Sequence, residues 1–147
     1  MKKVILVLVA IGFITTAATT NLSLSNEKAS NTLTVSSEKY KACIDACKAC
    51  IASCKKVEGM CTKEKSAKMA ECEKMCKECA AMCKEAVKLM KANDPNCKTK
   101  CLECAKVCEK CAAECDKFDM TECKKCAADC RKAAEQCNKM WYLRLLF

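Results

Sequence analysis

The sequence predicts an all-α fold, an antiparallel up-down four-helix bundle with a cysteine-lined core. Three observations carry this. Gly 2, Pro 1 and aromatics 4% leave too few turn and strand residues for a β-sandwich or barrel. Ala, Lys, Glu and Met dominate beside 19 Cys, and all but Cys are good helix formers. The cysteines also recur at steps of three, four or seven residues within four runs, the spacing that keeps side chains on one helical stripe. A length of 147 residues suits one such domain.

The chain opens with a different element. Met1-Lys2-Lys3 is a short positive region, Val4 to Ile14 is almost continuously apolar, and small residues follow through Thr15-Thr16-Ala17-Ala18-Thr19. This is the anatomy of a secretory signal peptide over residues 1–19, with cleavage expected near Ala18 or Thr19. As a membrane anchor the run is shorter than the roughly 20 residues that span a bilayer. No Cys lies near the cleavage site to take a lipid, and no Arg-Arg pair is present. Export to a periplasmic or extracellular space follows, with no stable membrane anchor. Residues 20–36, polar and Ser/Thr/Asn-rich without an apolar period, read as a flexible leader.

Residues 37–141 form the bundle, and its helix ends are legible. Ser36 or Ser37 can cap the first helix, and Gly59 is expected to end it. Asn93-Asp94-Pro95 marks a boundary at which Asp94 caps the third helix and Pro95 suits its first turn. Asp119 with Glu122 resembles a capping box for the fourth, with Phe118 as a staple. The expected helices are 37–58, 64–92, 95–117 and 120–141. Their short connections make sequence neighbours antiparallel. Lys and Glu lie scattered along every helix, so the formal charge of +9 describes a solvated surface. Without interleaved aromatics or Arg clusters, nucleic acid is not an expected partner.

The cysteines occupy the positions that Leu or Ile fill in an ordinary bundle. The runs are Cys43, Cys47, Cys50, Cys54; Cys72, Cys76, Cys79, Cys83; Cys97, Cys101, Cys104, Cys108, Cys111, Cys115; and Cys123, Cys126, Cys130, Cys137, with Cys61 between the first two. Antiparallel pairing at a constant sum of residue numbers matches Cys54 with Cys72, Cys72 with Cys108, and Cys108 with Cys130. The predicted stack begins with Cys43, Cys83, Cys97 and Met140, then Cys47, Cys79, Cys101 and Cys137. Cys50, Cys76 and Cys104 opposite Ala134 follow, and then Cys54, Cys72, Cys108 and Cys130. Val57, Met69, Cys111 and Cys126 make the fifth layer; Cys115, Cys123 and Cys61 make the sixth. Layers at the helical rise are about 5 Å apart.

Three uses fit a tube of thiols. Disulfide stapling suits an exported domain, but neighbours on one helix point the same way and bridging them strains it. The odd count of 19 also leaves a thiol over. Zinc or cadmium, in a metallothionein-like protein, would take thiolate too. Isolated four-thiolate zinc sites each carry a net negative charge, and a buried column of them is costly to desolvate. Cu(I), monovalent and content with two or three bridging thiolates, approaches one ion per sulfur and a neutral core. With no His, the donor set is purely soft. Met60, Met69 and Met120 fall at the loop end beside Cys61, Cys115 and Cys123, which makes that end the expected entrance. Tyr40, Met90, Met140 and Trp141 form an apolar plug at the other. Met75 and Met82, between core cysteines, read as helix-forming filler.

Catalysis finds no residues here. Five Cys-x-x-Cys units lie inside helices, none followed by His, which excludes c-type haem attachment. They lack the strand-turn-helix context of a redox dithiol. No His-dependent triad and no phosphate loop exist.

The repeated Cys-x-x-x-Cys-x-x-Cys of Cys43-Cys47-Cys50, Cys72-Cys76-Cys79 and Cys97-Cys101-Cys104 resembles the four-helix-bundle copper storage proteins, over about residues 40 to 140. The resemblance implies an apo bundle already folded, inward thiolates holding multiple Cu(I) ions mostly in pairs, and assembly into a homo-oligomer, a tetramer. For exported members it implies copper kept for a copper enzyme, hence an unidentified copper donor or acceptor as partner. Some exported members carry a twin-arginine signal and leave the cell folded. Lys2-Lys3 instead implies unfolded export and loading outside the cytosol. Some members place His at the bundle mouth, and this chain has none. The apolar tail over 142–147 is read, with Trp141, as a plug or an oligomer contact.

Overall fold

The structure, a computed structural model, describes residues 38–64 and 67–142. The expected signal peptide, the leader, the Ser36 or Ser37 cap and the tail beyond Tyr142 lie outside these residues. Four helices follow one another: α1 (Lys41–Glu64), α2 (Ala70–Ala92), α3 (Cys97–Cys115) and α4 (Thr121–Tyr142). A short 3-10 turn, Ala67–Met69, leads into α2. Among the described residues there is no strand, and no helix is long and apolar enough to cross a membrane.

The helices stand in a square, α1 and α3 each packing against α2 and α4. Short connections enforce this, because a few residues can join only helix ends that lie side by side. Charged residues hold the outer faces through pairs one turn apart, among them Lys100 with Glu103 at 2.9 Å and Lys125 with Asp129 at 3.1 Å. Such pairs each stabilise a helix by about 0.2–0.5 kcal/mol. Two others tie helices together: Lys100 reaches Glu85 of α2 at 3.6 Å, and Arg131 of α4 forks onto Asp116 just beyond α3.

Several helix ends differ from the sequence expectation. The second helix, expected from residue 64, begins at Ala70 behind the turn at Ala67–Met69. Helix α1 runs through Gly59 to Glu64, because Gly59 has no positive φ and stands mid-helix rather than in a left-handed cap. The end of α2 uses a left-handed residue of another type. Asn93 has φ 49° and ψ 38°, and its N–H reaches the carbonyls of Leu89 and Met90. Asn is one of the few side chains that tolerates this conformation.

At the start of α3, Asp94 does not cap the helix. Its carboxylate accepts from the Asn96 N–H at 2.8 Å, closing a turn two residues long. The helix begins at Cys97, behind an Asn96 that makes no side-chain cap bond, so Pro95 precedes the first turn. Helix α4 begins at Thr121, with the Met120 carbonyl accepting from Lys124 at 3.0 Å. Asp119 pairs through its side chain with Lys124. Phe118 does pack against the core.

The core is sulfur and small aliphatic residues. Every cysteine is buried, and between them lie Ala80, Ala86, Ala105, Ala112, Ala127, Ala133 and Ala134. Small side chains let the helices approach closely, which brings sulfurs of facing helices into contact. Val57 and Met90 are the largest fully buried aliphatic side chains. Ser53 is the one buried polar side chain among the described residues, and its hydroxyl donates to Asp129 across the α1–α4 seam.

Candidate metal centre

Each helix contributes a stripe of inward thiols because its cysteines repeat at three and four residues. Facing stripes meet sulfur to sulfur. On the α2–α3 seam, Cys83 touches Cys104 at 3.6 Å, Cys79 touches Cys108 at 3.6 Å, Cys76 touches Cys111 at 3.9 Å and Cys72 touches Cys115 at 3.9 Å. On the α1–α4 seam, Cys43 lies 3.3 Å from Cys137, Cys50 lies 3.4 Å from Cys130 and Cys54 lies 3.6 Å from Cys126. The α1–α2 seam is joined by Cys50 and Cys79 at 3.6 Å. All 19 cysteines are free thiols.

The predicted layers therefore need correction. Cys72 meets Cys115 rather than Cys108, two helical turns further along α3. An antiparallel pair must be centred on its connection, and the observed pairing centres on Asn93-Asp94, whereas the predicted one centred inside α2. Cys50 meets Cys79 rather than Cys76, one turn on, because α1 continues past Gly59 and moves the turn towards Glu64. With α4 the prediction holds better: Cys101 and Cys137 share a group, as do Cys111 and Cys126. The observed α2–α3 register sets Ala86 opposite Cys101 and Met90 opposite Cys97. Inward at the far end of α4 stands Trp141, 8% exposed, and Met140 is only partly buried.

Groups of four sulfurs form, each with all its atoms within 4.8 Å of one another. They are Cys50, Cys79, Cys83, Cys108; Cys50, Cys54, Cys79, Cys130; Cys54, Cys111, Cys126, Cys130; and Cys76, Cys111, Cys115, Cys126. Successive groups share two members, so the sulfurs make one connected column. Cys43, Cys101 and Cys137 form a further group towards Tyr40 and Trp141. Cys61 and Cys123 stand beside Cys72 at the other end.

Burial governs the protonation of these end thiols. It pushes Cys61 up to about 11 and Cys123 up to about 12. Inside the column, thiols answer to one another. S–H groups of Cys115 and then Cys76 favour a thiolate at Cys72 and pull it below the ordinary range, while Cys115 is pushed up, first by Cys111. One sulfur is stabilised as an anion only by neighbours that keep their protons. A full column of thiolates consequently needs cations to balance it.

The family model for copper storage protein (Csp) matches residues 36–142. The chain belongs to the copper storage protein family. The Cu(I)-bound copper storage protein 3 of Bacillus subtilis is 38% identical, with TM-score 0.66, covering 69% of this chain and 97% of that one. Its apo form gives TM-score 0.64 at 38% identity, covering 68% and 96%. A protein of Nitrosospira multiformis is 30% identical with TM-score 0.64, covering 72% of this chain and 97% of that one. No sequence among the curated proteins matches.

Within the copper storage fold, sequence reasoning missed Ser53 and its bond to Asp129. A lone Ser on the flank of a cysteine stripe carries no signal until the facing helix is placed.

Proposed function

We propose that this chain stores or sequesters many Cu(I) ions on its inward cysteine thiolates and catalyses no reaction. The single observation that supports this best is the sharing of Cys50, Cys54, Cys79, Cys111, Cys126 and Cys130 between neighbouring sulfur groups. Shared sulfurs suit bridging thiolates, each serving two monovalent ions, so a filled column approaches neutrality. The Cu(I) bound by the Bacillus subtilis relative points the same way. Binding exchanges thiol protons for metal, so uptake releases protons and strengthens as pH rises.

The same four-sulfur groups also have the donor number of tetrahedral zinc. Separate zinc ions would leave each site with excess negative charge in a core that holds no compensating cation. That favours Cu(I).

The sulfur-rich end is proposed as the way in. Met60 and Met120 are half-buried thioethers there, beside Met69, Cys61 and Cys123. At the opposite end Tyr40, Met90 and Trp141 are buried together. Met1-Lys2-Lys3 and the apolar run after it support export, with loading outside the cytosol. A homo-oligomer and an unidentified copper donor or acceptor rest on family resemblance.

The deciding experiment is an anaerobic Cu(I) titration of the reduced mature protein against a chromogenic chelator, with a thiol count and a zinc competition. Uptake on the order of ten or more tightly held Cu(I) per chain, with little change in helicity, is expected. A few ions only, together with tighter zinc binding, would overturn the proposal in favour of a zinc protein.

A further inference from the structure

The column's end at Cys43 combines two features. The first is a short sulfur contact: Cys43 and Cys137, on different helices, are 3.3 Å apart. A disulfide is about 2.05 Å long, so bonding requires the sulfurs to close by only about 1.3 Å. Pairs along one helix, such as Cys97 and Cys101 at 3.9 Å, would strain that helix on bonding. Cys43 also keeps 3% exposure while Cys137 keeps none, so whatever access the pair has runs through Cys43.

The second feature is an aromatic pair one turn further out. The Ile44 N–H donates to the Tyr40 carbonyl at 2.9 Å, which continues the helical path from Tyr40 into Cys43. Trp141 follows Cys137 by one turn of α4. The two rings lie 6.3 Å apart, tilted by 41°, and both are buried. The Tyr40 hydroxyl donates to Asn93 Oδ1 at 3.3 Å, which ties this cover to the end of α2. Contacts from the ends of three helices thus hold the two rings together one turn beyond Cys43 and Cys137.

We propose that Cys43 and Cys137 are the oxidation-prone pair of the column and that Tyr40 and Trp141 shield them from peroxides. This rests on the storage reading, because a disulfide there removes two thiolates from the metal-binding set. In the chemistry resisted, one sulfur, as thiolate, attacks an oxygen of hydrogen peroxide. The O–O bond breaks, leaving a sulfenic acid and hydroxide, which is protonated to water. The second thiol then attacks the sulfenic sulfur; the S–S bond forms and a second water leaves. Two electrons pass from the sulfur pair to the peroxide. Only the first step needs outside access, and the rings block it. The second step is intramolecular and favoured by the short contact.

The test exposes the reduced, copper-free full chain to limiting hydrogen peroxide and maps disulfides by differential alkylation and mass spectrometry. In the wild type, the Cys43–Cys137 disulfide should form only slowly. Trp141→Ala should speed formation of the Cys43–Cys137 bond several-fold, and Trp141→Phe should stay close to wild type. Equal rates in wild type and Trp141→Ala would overturn the proposal. So would oxidation of Trp141→Ala that leaves Cys43 and Cys137 reduced. Should Trp141→Ala lose helicity, Tyr40→Leu replaces it with the same two readings. The readout involves no copper, and a Cu(I) titration of untreated protein tests the storage reading separately.

Discussion

Cys83 lies 3.6 Å, sulfur to sulfur, from Cys104, and this contact sets the register of the α2–α3 seam. The same offset carries down through Cys79 with Cys108 to Cys72 with Cys115. A register shared along a whole seam is what turns separate thiol stripes into a column.

Position in that column should decide how much each cysteine matters. Cys79 belongs to two sulfur groups, whereas Cys61 sits at the edge. Cys79→Ala should therefore lower Cu(I) capacity by about two ions, since a bridging thiolate serves two, and Cys61→Ala by less. Anaerobic titration endpoints on the two variants check this. A larger loss from Cys61→Ala would contradict the shared-sulfur arrangement.

Gly59 should be replaceable with profit. It lies inside α1, and a Cβ built there meets nothing within 4 Å. Gly59→Ala removes chain entropy from the unfolded state without a clash, so it should stabilise the apo protein by about 0.5–1 kcal/mol. Denaturant unfolding measures it, and a lowered midpoint is the result against it.

The buried Ser53 hydroxyl donates to an Asp129 side chain that is only 17% exposed. Ser53→Ala should cost about 1–3 kcal/mol by leaving that carboxylate short of a donor. Lys125, 3.1 Å away, keeps the charge paired but cannot replace the bond from α1. A double-mutant cycle with Asp129→Asn should show coupling, and additive losses would deny it.

Alkali should weaken the apo fold. Burial raises Cys61 from 9.0 to about 11 and Cys123 from 9.0 to about 12. Folded values above unfolded ones mean that this stabilisation is fully present below the unfolded value. It is lost as pH rises through the folded values. The denaturant midpoint of the reduced apo protein should fall between pH 9 and 12. A midpoint constant across that window would count against neutral buried thiols.

The helix count and the inward face of each helix were legible in residue spacing. A side chain's place on a helical stripe depends only on its own helix, so Cys72, Cys76, Cys79 and Cys83 could be assigned inward without knowing what they face. Of the expected plug of Tyr40, Met90, Met140 and Trp141, all but the partly buried Met140 are buried. Helix ends were less legible, because they depend on competing short-range bonds. Asp94 closes a turn onto Asn96 instead of capping α3, and Gly59 passes through α1 instead of ending it.

By itself, then, the sequence determined a four-helix bundle with a thiol core and soft-metal chemistry. Composition and a three-to-four residue period act within single helices and need no partner. Only the tertiary structure decided which sulfurs meet. Sliding a helix by a turn or two leaves every stripe facing inward, so periodicity cannot choose among registers. The turn at Asn93 and Asp94, together with the length of α1, makes that choice by fixing where each antiparallel pair is centred. From it come the shared sulfur groups, the Cys43–Cys137 contact and the place of Trp141 above them.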